Sequence, residues 1–583
     1  MWQCKERELI IKMKRWEFRN IDTAAAAAMA NALSLQPVSG AILAARGIAG
    51  TDAARQYLAP TLSAMLDPLL LKGMTAATTR LLTAWRTNEN VCIYGDYDSD
   101  GITGTALLVS FLRATGFSCD YFIPNRFDDG YGLNKDALGR IVALGATLIV
   151  SVDCGITAVD EALFCRSRGT DLIIVDHHTP GANIPEACAV LNPLQPGCNY
   201  PFKALAGVGV AFNLLVALRS ALRDNGAFLQ GSEPDLRQWL DLVAIGTIAD
   251  VVPLTGQNRI YAHCGLRQLS ASPRPGIQAL KQVAGVIGKV GCGQVGFRLA
   301  PRLNAAGRME SAVPGVDLLL SENDDECNGI AADLDAANGE RQAIEKRILE
   351  EALGMVEAAG DYPGRRSIVL ASDTWHQGVV GIVASRLVER YHRPTILIAL
   401  GEDGMGKGSG RGIAGIHLLD ALTTCAPHLE RFGGHRYAAG VSLRADQVAG
   451  FAAAFEAAAT RMLSDDDLVA RLEIDVEVSP KDVNRELVME LKQMEPFGAG
   501  NPEPVLLMRN MAVVERRTVG DGHLRLRLAK EGITFAAIAF RMADQETQGP
   551  MDVAFFPEIN EWNGSSTLQL RIKDMRPADN HAT

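Results

Sequence analysis

The chain is poor in several things that would each have fixed its class early. It has no apolar run of 18 residues, which argues against a membrane-spanning helix. Its first residues, "MWQCKERELIIKMKRWEFRN", are charged and lack the apolar core and small-residue cleavage site of a secretory signal. The eleven cysteines include no CxxC pair and no zinc-like spacing, so reduced thiols in a reducing compartment are expected, and with them a cytoplasmic protein. There is no internal repeat and no low-complexity tract beyond the alanines at 24–30. Basic charge is lacking too: the net charge of −11 does not advertise nucleic-acid binding, although a basic groove can sit on an acidic body. What remains is a chain of 583 residues, too long for one core, so two to four domains are expected.

From about Val91 to Pro193, apolar runs alternate with helical stretches. "VCIYG", "TLIVSVD" and "DLIIVDHH" read as strands, separated by "GTALLVSFLRATG" and "AVDEALFCRSRG". That alternation predicts a mostly parallel sheet covered by helices. Two apolar helices, "GVGVAFNLLVALRSALR" and "LRQWLDLVAIGTIADVV", complete a domain spanning 76–320, preceded by a helical extension over 1–75. Residues 321–360 are polar and rich in helix formers, the pattern of a long connecting helix. A second α/β unit is expected over 361–467. Over 468–583 the period shortens to alternating strands joined by Gly and Asn turns, which predicts a small β-barrel.

The chemistry concentrates where the predicted strands end. The stretch "VCIYGDYDSDGITGT" places Asp96, Asp98 and Asp100 directly after one strand. Asp153 follows the second, and Asp176, His177 and His178 follow the third. In a parallel sheet such residues converge at the carboxyl rim. Asp250 in "AIGTIADVV" ends an apolar helix, where a charge is costly without a partner. A single strand-end Asp is usually a turn residue or a helix N-cap, and Asp100 before "GITGT" is read as an N-cap. The set as a whole is read as a site for two divalent cations, which would relieve the repulsion among the carboxylates. Oxygen ligands with one imidazole suit Mn2+ or Mg2+ better than zinc. A bridging carboxylate, for which Asp153 is the candidate, would hold both ions, and the chemistry expected is hydrolysis of a phosphoester or phosphoanhydride.

The segments "DYDSDG", "VSVDCGI", "DHHTP" and "GTIADVVPL" resemble, in order and context, the signature of the DHH phosphoesterase superfamily. "FGGHRYAAG" resembles the glycine-rich signature of a DHHA1-type second domain. With "IPNRFDDGYGL", "LNPLQPGCNYPFKALAGVGVAF", "PRLNAAGRM" and the terminal barrel, the resemblance narrows to the RecJ family of single-strand-specific 5′-to-3′ exonucleases and covers roughly 40–575. It implies an α/β fold with a DHH-type mostly parallel sheet, a DHHA1-type domain joined by a long helix, and an OB-like barrel. It also implies that Asp96 and Asp153 hold one ion and that Asp98, Asp153, His177 and Asp250 hold the other. His178 would contact the scissile phosphate, and Asp176 would orient the histidine pair. Arg302, Asn304 and Arg308 would grip substrate phosphates. Ser409 and Arg411 of "GMGKGSGRGIAGIHL", with Arg126, would form a 5′-phosphate pocket, and His435 would stand beside the turn at Gly433 and Gly434.

An OB-fold would offer the incoming strand a basic surface, with Arg516, Arg517, Arg525 and Arg527 as backbone contacts and Trp562 or Phe555 as stacking faces. The resemblance further implies work in DNA repair and recombination as a monomer, with single-stranded DNA as substrate and a single-strand-binding protein and a RecQ-type helicase as partners. Three departures are visible. Cys92 stands where pyrophosphatase relatives carry a metal-binding His, Ser99 stands where Ala is frequent, and Arg436 and Tyr437 are bulky for their place after "GGH". The competing readings are a DHH phosphodiesterase for short RNA or cyclic dinucleotides, and a non-catalytic scaffold resembling Cdc45.

Overall fold

The computed structural model describes residues 14–125, 129–130, 132–229, 231–309, 311–562 and 565–578. They form two compact units. One comprises 55–339 and 494–503, the other 1–54, 340–493 and 504–583.

The first unit is built on five parallel strands in the order Ser118–Phe122, Asn90–Gly95, Leu148–Val152, Asp171–Val175 and Ala189–Leu191. The three strands read from the sequence are the central ones. Their side chains alternate between two cores, which is why each strand is apolar throughout. Val91, Ile93, Val150 and Ile173 enter one core with the helices Ser99–Ala114 and Gly207–Asp224. Cys92, Tyr94, Ile149 and Ile174 enter the other with Lys135–Ala143 and Val159–Ser167. The expected long helix spans Asp324–Ala359, and the boundary between the two units falls inside it.

In the second unit a five-stranded sheet runs in the order Arg431–Gly434, Ala438–Arg444, Met405–Arg411, Thr395–Leu400 and Ile368–Ser372, with only the last two strands parallel to each other. The C-terminal strands close into a barrel. Leu506–Val519 pairs with both His523–Lys530 and Met551–Trp562, and the circuit is completed through Ile533–Ala539 and Ser565–Pro577. The pair Ile533–Ala539 and Ser565–Pro577 is parallel and the rest are antiparallel, consistent with a five-stranded OB-fold. Phe555, expected as an exposed stacking face, is fully buried in the barrel. The alternation of its strand turns it inward, between the barrel's own apolar side chains. The side chain of Trp562 lies outside the described ones.

Two segments depart from the linear order read from the sequence. The N-terminal extension is not helical throughout, because Arg15–Phe18 is a strand paired in parallel with Arg471–Ile474. The helices Thr23–Leu33 and Pro37–Ala45 follow it in the same unit. Residues Met494–Glu503, inside the stretch read as barrel, belong instead to the sheet-bearing first unit. Arg259 is buried there and donates to the carbonyls of Tyr57 at 2.9 Å, Met494 at 3.0 Å and Glu495 at 2.9 Å. Its guanidinium also lies 4.0 Å from the centre of the Tyr57 ring.

Removing that side chain would take a donor from the carbonyls of Tyr57 and Glu495, while Met494 O would keep the Asn501 amide at 3.1 Å. Arg259→Ala is therefore expected to destabilise the first unit by about 2–4 kcal/mol. The measurement is a thermal melt combined with limited proteolysis, and new cleavage within 494–503 is the expected sign.

Candidate metal centre

The sheet register sets the site. Gly95 lies opposite Val152, Val152 opposite Val175, and Val175 opposite Leu191. The next residue on each of the first three strands is an aspartate, so Asp96, Asp153 and Asp176 fall side by side on the carboxyl rim. Backbone bonds continue the ladder by one step, from Asp153 N to Val175 O and from Asp176 N to Leu191 O, both at 2.9 Å. Asp153 turns off the sheet with φ +64°, a left-handed conformation that Asp and Asn tolerate better than other side chains.

Five of the residues expected to hold metal are brought together. Asp96, Asp98 and Asp153 form one group, and His177 joins Asp153 and Asp250. The Nε2 atom of His177 lies 3.1 Å from Asp153 Oδ1 and 3.6 Å from Asp250 Oδ2. Asp250 reaches the rim from the C-cap of the helix Leu240–Ala249. Burial and the neighbouring carboxylates, Asp100 foremost, push Asp153 and Asp250 well above the usual carboxylate range. Burial, with His178 beside it, pushes His177 down to about 4, so its ring is neutral. Asp153 Oδ1, His177 Nε2 and Asp250 Oδ2 are all buried with no hydrogen-bond partner among the described residues. Buried electron-pair donors aimed at one another are costly unless a cation lies between them. The donor set, oxygens with one imidazole, fits Mn2+ or Mg2+.

Asp176, expected to orient the histidine pair, bonds to the ring of His178 and to the backbone of both. Its Oδ1 accepts from His178 Nδ1 at 2.7 Å and from the backbone N–H groups of His177 at 2.7 Å and His178 at 3.1 Å. Its Oδ2 accepts from Ile156 N at 2.9 Å. Burial works against the Asp176 carboxylate, yet the bond from His178 outweighs it and holds the group below its ordinary value. Burial likewise opposes a charged His178, and Asp176 overcomes it, lifting the imidazole to about 9.

Asp100 does not take the place expected of it. The cap of the helix Ser99–Ala114 is Asp98, which accepts from Asp100 N at 2.9 Å and Gly101 N at 3.2 Å. Asp100 is buried and accepts from Gly207 N at 2.7 Å and Val208 N at 2.9 Å, the first amides of the helix Gly207–Asp224. A negative charge is favoured at that terminus. Burial and Asp98 nevertheless raise Asp100 to about 7. Gly207 allows this close approach: a Cβ there would come within 2.8 Å of Asp153 Oδ1 and 3.1 Å of Asp100 Oδ2. The signal available in the sequence was "GVGVAF", where glycines open a helix.

The residues expected to hold substrate are placed as follows. Asn304 Oδ1 accepts from the N–H of Ser99 at 2.7 Å and its hydroxyl at 2.9 Å, so Asn304 ties the helix Ala300–Met309 to the metal loop. The departure at Ser99 thus adds a hydrogen bond. Arg302 is paired with Asp335 at 2.7 Å and donates to Arg298 O at 2.6 Å. Arg308 lies half-buried in the last turn of the same helix. In the other unit, Arg411 donates to Ser409 Oγ at 3.1 Å. Gly381, at the start of the helix Val380–Tyr391, packs against both, and a Cβ there would lie 2.7 Å from Ser409 Oγ. His435 follows the strand Arg431–Gly434, its N–H bonded to Ala438 O at 2.8 Å. Arg126 lies outside the described residues. Cys92 is buried in a sheet core, where burial raises its thiol to about 12.

Family models agree with this anatomy. The N-terminal domain of the DHH family matches residues 90–247, the DHHA1 domain 365–461 and the RecJ OB domain 474–574. Fold and site together define a DHH-type phosphoesterase. The single-stranded-DNA-specific exonuclease RecJ of Escherichia coli (strain K12) is 39% identical over 93% of this chain and 96% of its own length. That of Bacillus subtilis (strain 168) is 38% identical over 97% of this chain and 71% of its own. The crystal structure of RecJ from Thermus thermophilus in complex with Mn2+ superposes with a TM-score of 0.84 at 33% identity, over 97% of this chain and 80% of that one. A Mg2+ complex from the same source gives 0.78. The chain belongs to the RecJ family.

Like-charge crowding makes a stability prediction. Asp153→Asn keeps a residue suited to φ +64° while removing one buried charge, so the variant stripped of metal by chelation is expected to melt above the equally stripped wild type. Saturating Mn2+ should raise the wild-type melting temperature by roughly 5–10 °C and leave that of the variant nearly unmoved. Differential scanning calorimetry with and without chelator reads both.

Proposed function

We infer that this chain is a single-stranded-DNA-specific exonuclease that hydrolyses phosphodiester bonds from the 5′ end and releases mononucleotides, in DNA repair and recombination. The observation that carries the reading is the convergence of Asp96, Asp98, Asp153, His177 and Asp250 on one rim, with three donor atoms left without hydrogen-bond partners among the described residues. Asp96 and Asp153 would hold one divalent ion, and Asp98, Asp153, His177 and Asp250 a second. Mn2+ or Mg2+ bound there supplies a water of lowered pKa and charge to neutralise the phosphoryl group.

The protein's own residues do the rest. Asp176 fixes His178 through Nδ1, so the opposite ring nitrogen can donate to an oxygen of the scissile phosphate. Asp100 holds the amides of Gly207 and Val208 and thereby keeps the helix terminus against Asp153. Asn304 fixes the loop that carries Asp96 and Asp98. Arg302, engaged by Asp335, serves the substrate by positioning its helix, and Arg308 by contact with a phosphate. Ser409 and Arg411 present a hydroxyl and a planar guanidinium, suited to a terminal phosphate.

One chain carries the whole constellation, which is consistent with action as a monomer. A nuclease confined to single strands depends on an unwinding activity and competes with the protein that coats such strands. A RecQ-type helicase and a single-strand-binding protein are therefore the partners this reading brings, in the cytoplasm. Among the described residues, no helix is long and apolar enough to cross a membrane.

Two measurements test the reading. With Mn2+, end-labelled single strands should be shortened from the 5′ end while duplex is spared, and Asp153→Asn should lower the rate about 10²–10³-fold. Full activity of that variant would refute the site. Arg411→Ala should reduce the preference for a 5′-phosphate over a 5′-hydroxyl by about tenfold or more, leaving the Mn2+-induced rise in melting temperature intact.

A further inference from the structure

The sheet of the second unit has one covered face and one largely open one. Ala439, Val441 and Leu443 point into a core with Ile396 and Ile398. Opposite them stand Gly410, Gly408 and Gly406, where a Cβ would come within 2.7–3.1 Å of core side chains. The alternate residues face the other way. Register sets three rows on that side: Arg411 with Ala438, Ser409 with Gly440 and Gly433, and Lys407 with Ser442 and Arg431. The helix Val380–Tyr391 packs on the neighbouring strand there, against Leu397 and Ala399. Lys407, Ala438, Gly440, Arg431 and Gly433 stay exposed.

Gly433 and Gly440 differ from the glycines of the covered face. An added Cβ would meet nothing within 4 Å at Gly433, and only Gly408 O at 4.0 Å at Gly440. Packing therefore does not ask for glycine at either place, and bare strand on an open face suits the close approach of a ligand. Cations border this floor on both sides. Arg411 lies on one, bonded to Ser409 Oγ at 3.1 Å. On the other, about 7 Å along the strand from Ser409, Lys407 and Arg431 flank Ser442. Among the described residues neither of these two cations is in an ion pair. Arg444, farther along the same strand, is by contrast paired with Asp446 at 3.5 Å. Glu430, next to Arg431 in sequence, has the parity of Phe432, which packs against the covered core.

We propose that Lys407, Ser442 and Arg431 form a second anion site, which holds the outer phosphates of a 5′-triphosphate while Ser409 and Arg411 hold the innermost one. The proposal rests on the nuclease reading above. Under that reading the phosphate that follows the terminal one along the strand is the scissile phosphate, and it belongs to the metal rim. A further anion site beside Ser409 and Arg411 is then left for phosphates on the 5′ side. A guanidinium, an ammonium and a hydroxyl over bare backbone suit such a group. In the reaction, water adds to the scissile phosphorus and the bond to O3′ breaks. The first nucleoside leaves with a 3′-hydroxyl and its triphosphate intact, and the shortened strand keeps a 5′-phosphate. Ends of this kind are supplied by reactions that start a strand de novo from a nucleoside triphosphate.

The test is steady-state hydrolysis by the full-length, Mn2+-loaded protein of one single-stranded DNA sequence carrying either a 5′-triphosphate or a 5′-monophosphate. The wild type should show a KM for the triphosphate end no higher than for the monophosphate end. It should release the first residue of the triphosphate strand as a nucleoside triphosphate, read by anion-exchange chromatography. The double variant K407A/R431A should raise KM for the triphosphate end by about tenfold or more with kcat unchanged. Its KM for the monophosphate end should stay within about twofold, the scale of a surface change that removes no specific interaction. K407R/R431K keeps both charges and should restore the triphosphate KM, which separates loss of the site from loss of the fold. Equal effects of K407A/R431A on the two ends overturn the proposal, since the cations would then serve the strand as a whole. So does a wild type that degrades the monophosphate strand and leaves the triphosphate strand intact, or that frees inorganic pyrophosphate from it. Failure of the nuclease reading is distinct, because neither strand would then be shortened. Failure of the terminal-phosphate assignment is distinct as well, because Arg411→Ala would then keep the preference for a 5′-phosphate over a 5′-hydroxyl.

Discussion

Everything in the first unit answers to one constraint: parallel strands in register deliver aspartates to adjacent places on a single rim. Asp96, Asp153 and Asp176 follow residues that are neighbours across the sheet, so their separation is set by backbone hydrogen bonding. No side-chain rearrangement can spread them apart. Asp176 escapes the repulsion because a histidine ring and three backbone amides surround it. Asp153 has no such escape. It sits in a left-handed turn, buried, facing an imidazole nitrogen that is neutral. A fold that retains this arrangement keeps a local cost of the kind found at functional sites, and divalent cations offset it.

The surrounding architecture follows from keeping that rim rigid. The helix Gly207–Asp224 begins against Asp100 and Asp153, which only a glycine at 207 permits, and Asp100 compensates two otherwise unpaired amides of its first turn. Gly246 plays a similar part from the opposite side, since a Cβ there would come within 2.8 Å of Asp100 Oδ1. Asn304 closes the loop from a third direction through Ser99. Three helices distant in sequence are thus fastened to five residues, Asp96 to Asp100.

Much of this was legible in the sequence, for identifiable reasons. A buried parallel strand must be apolar throughout, so "VCIYG", "TLIVSVD" and "DLIIVDHH" announced the sheet, and the charges ending them announced the rim. The barrel was legible because its strands alternate. What stayed hidden depends on three-dimensional neighbours. Asp98 and Asp100 are both plausible caps by spacing, and only the position of Gly207 shows that Asp100 is used elsewhere. Arg302 has Asp335 beside it, a partner that nothing in its own segment announces. Phe555 shares the composition of an exposed platform, but its strand parity turns it inward. The return of Met494–Glu503 to the first unit has no compositional mark, since what holds it is a buried Arg259 donating to backbone carbonyls that any residue could provide.

The metal rim obeys a general rule of sheets. A sheet places side chains at fixed separations, so unlike charges meeting across it are unremarkable, whereas like charges held in register oppose folding and need another cause. At the rim the repelling groups are carboxylates and the missing species is a cation. Composition alone would not mark the cluster, because a net charge of −11 says nothing of where the charges lie. Crowded charges demand a counter-ion in proportion to how little they can relax. The demand is firmest at Asp153, where burial forbids solvent screening.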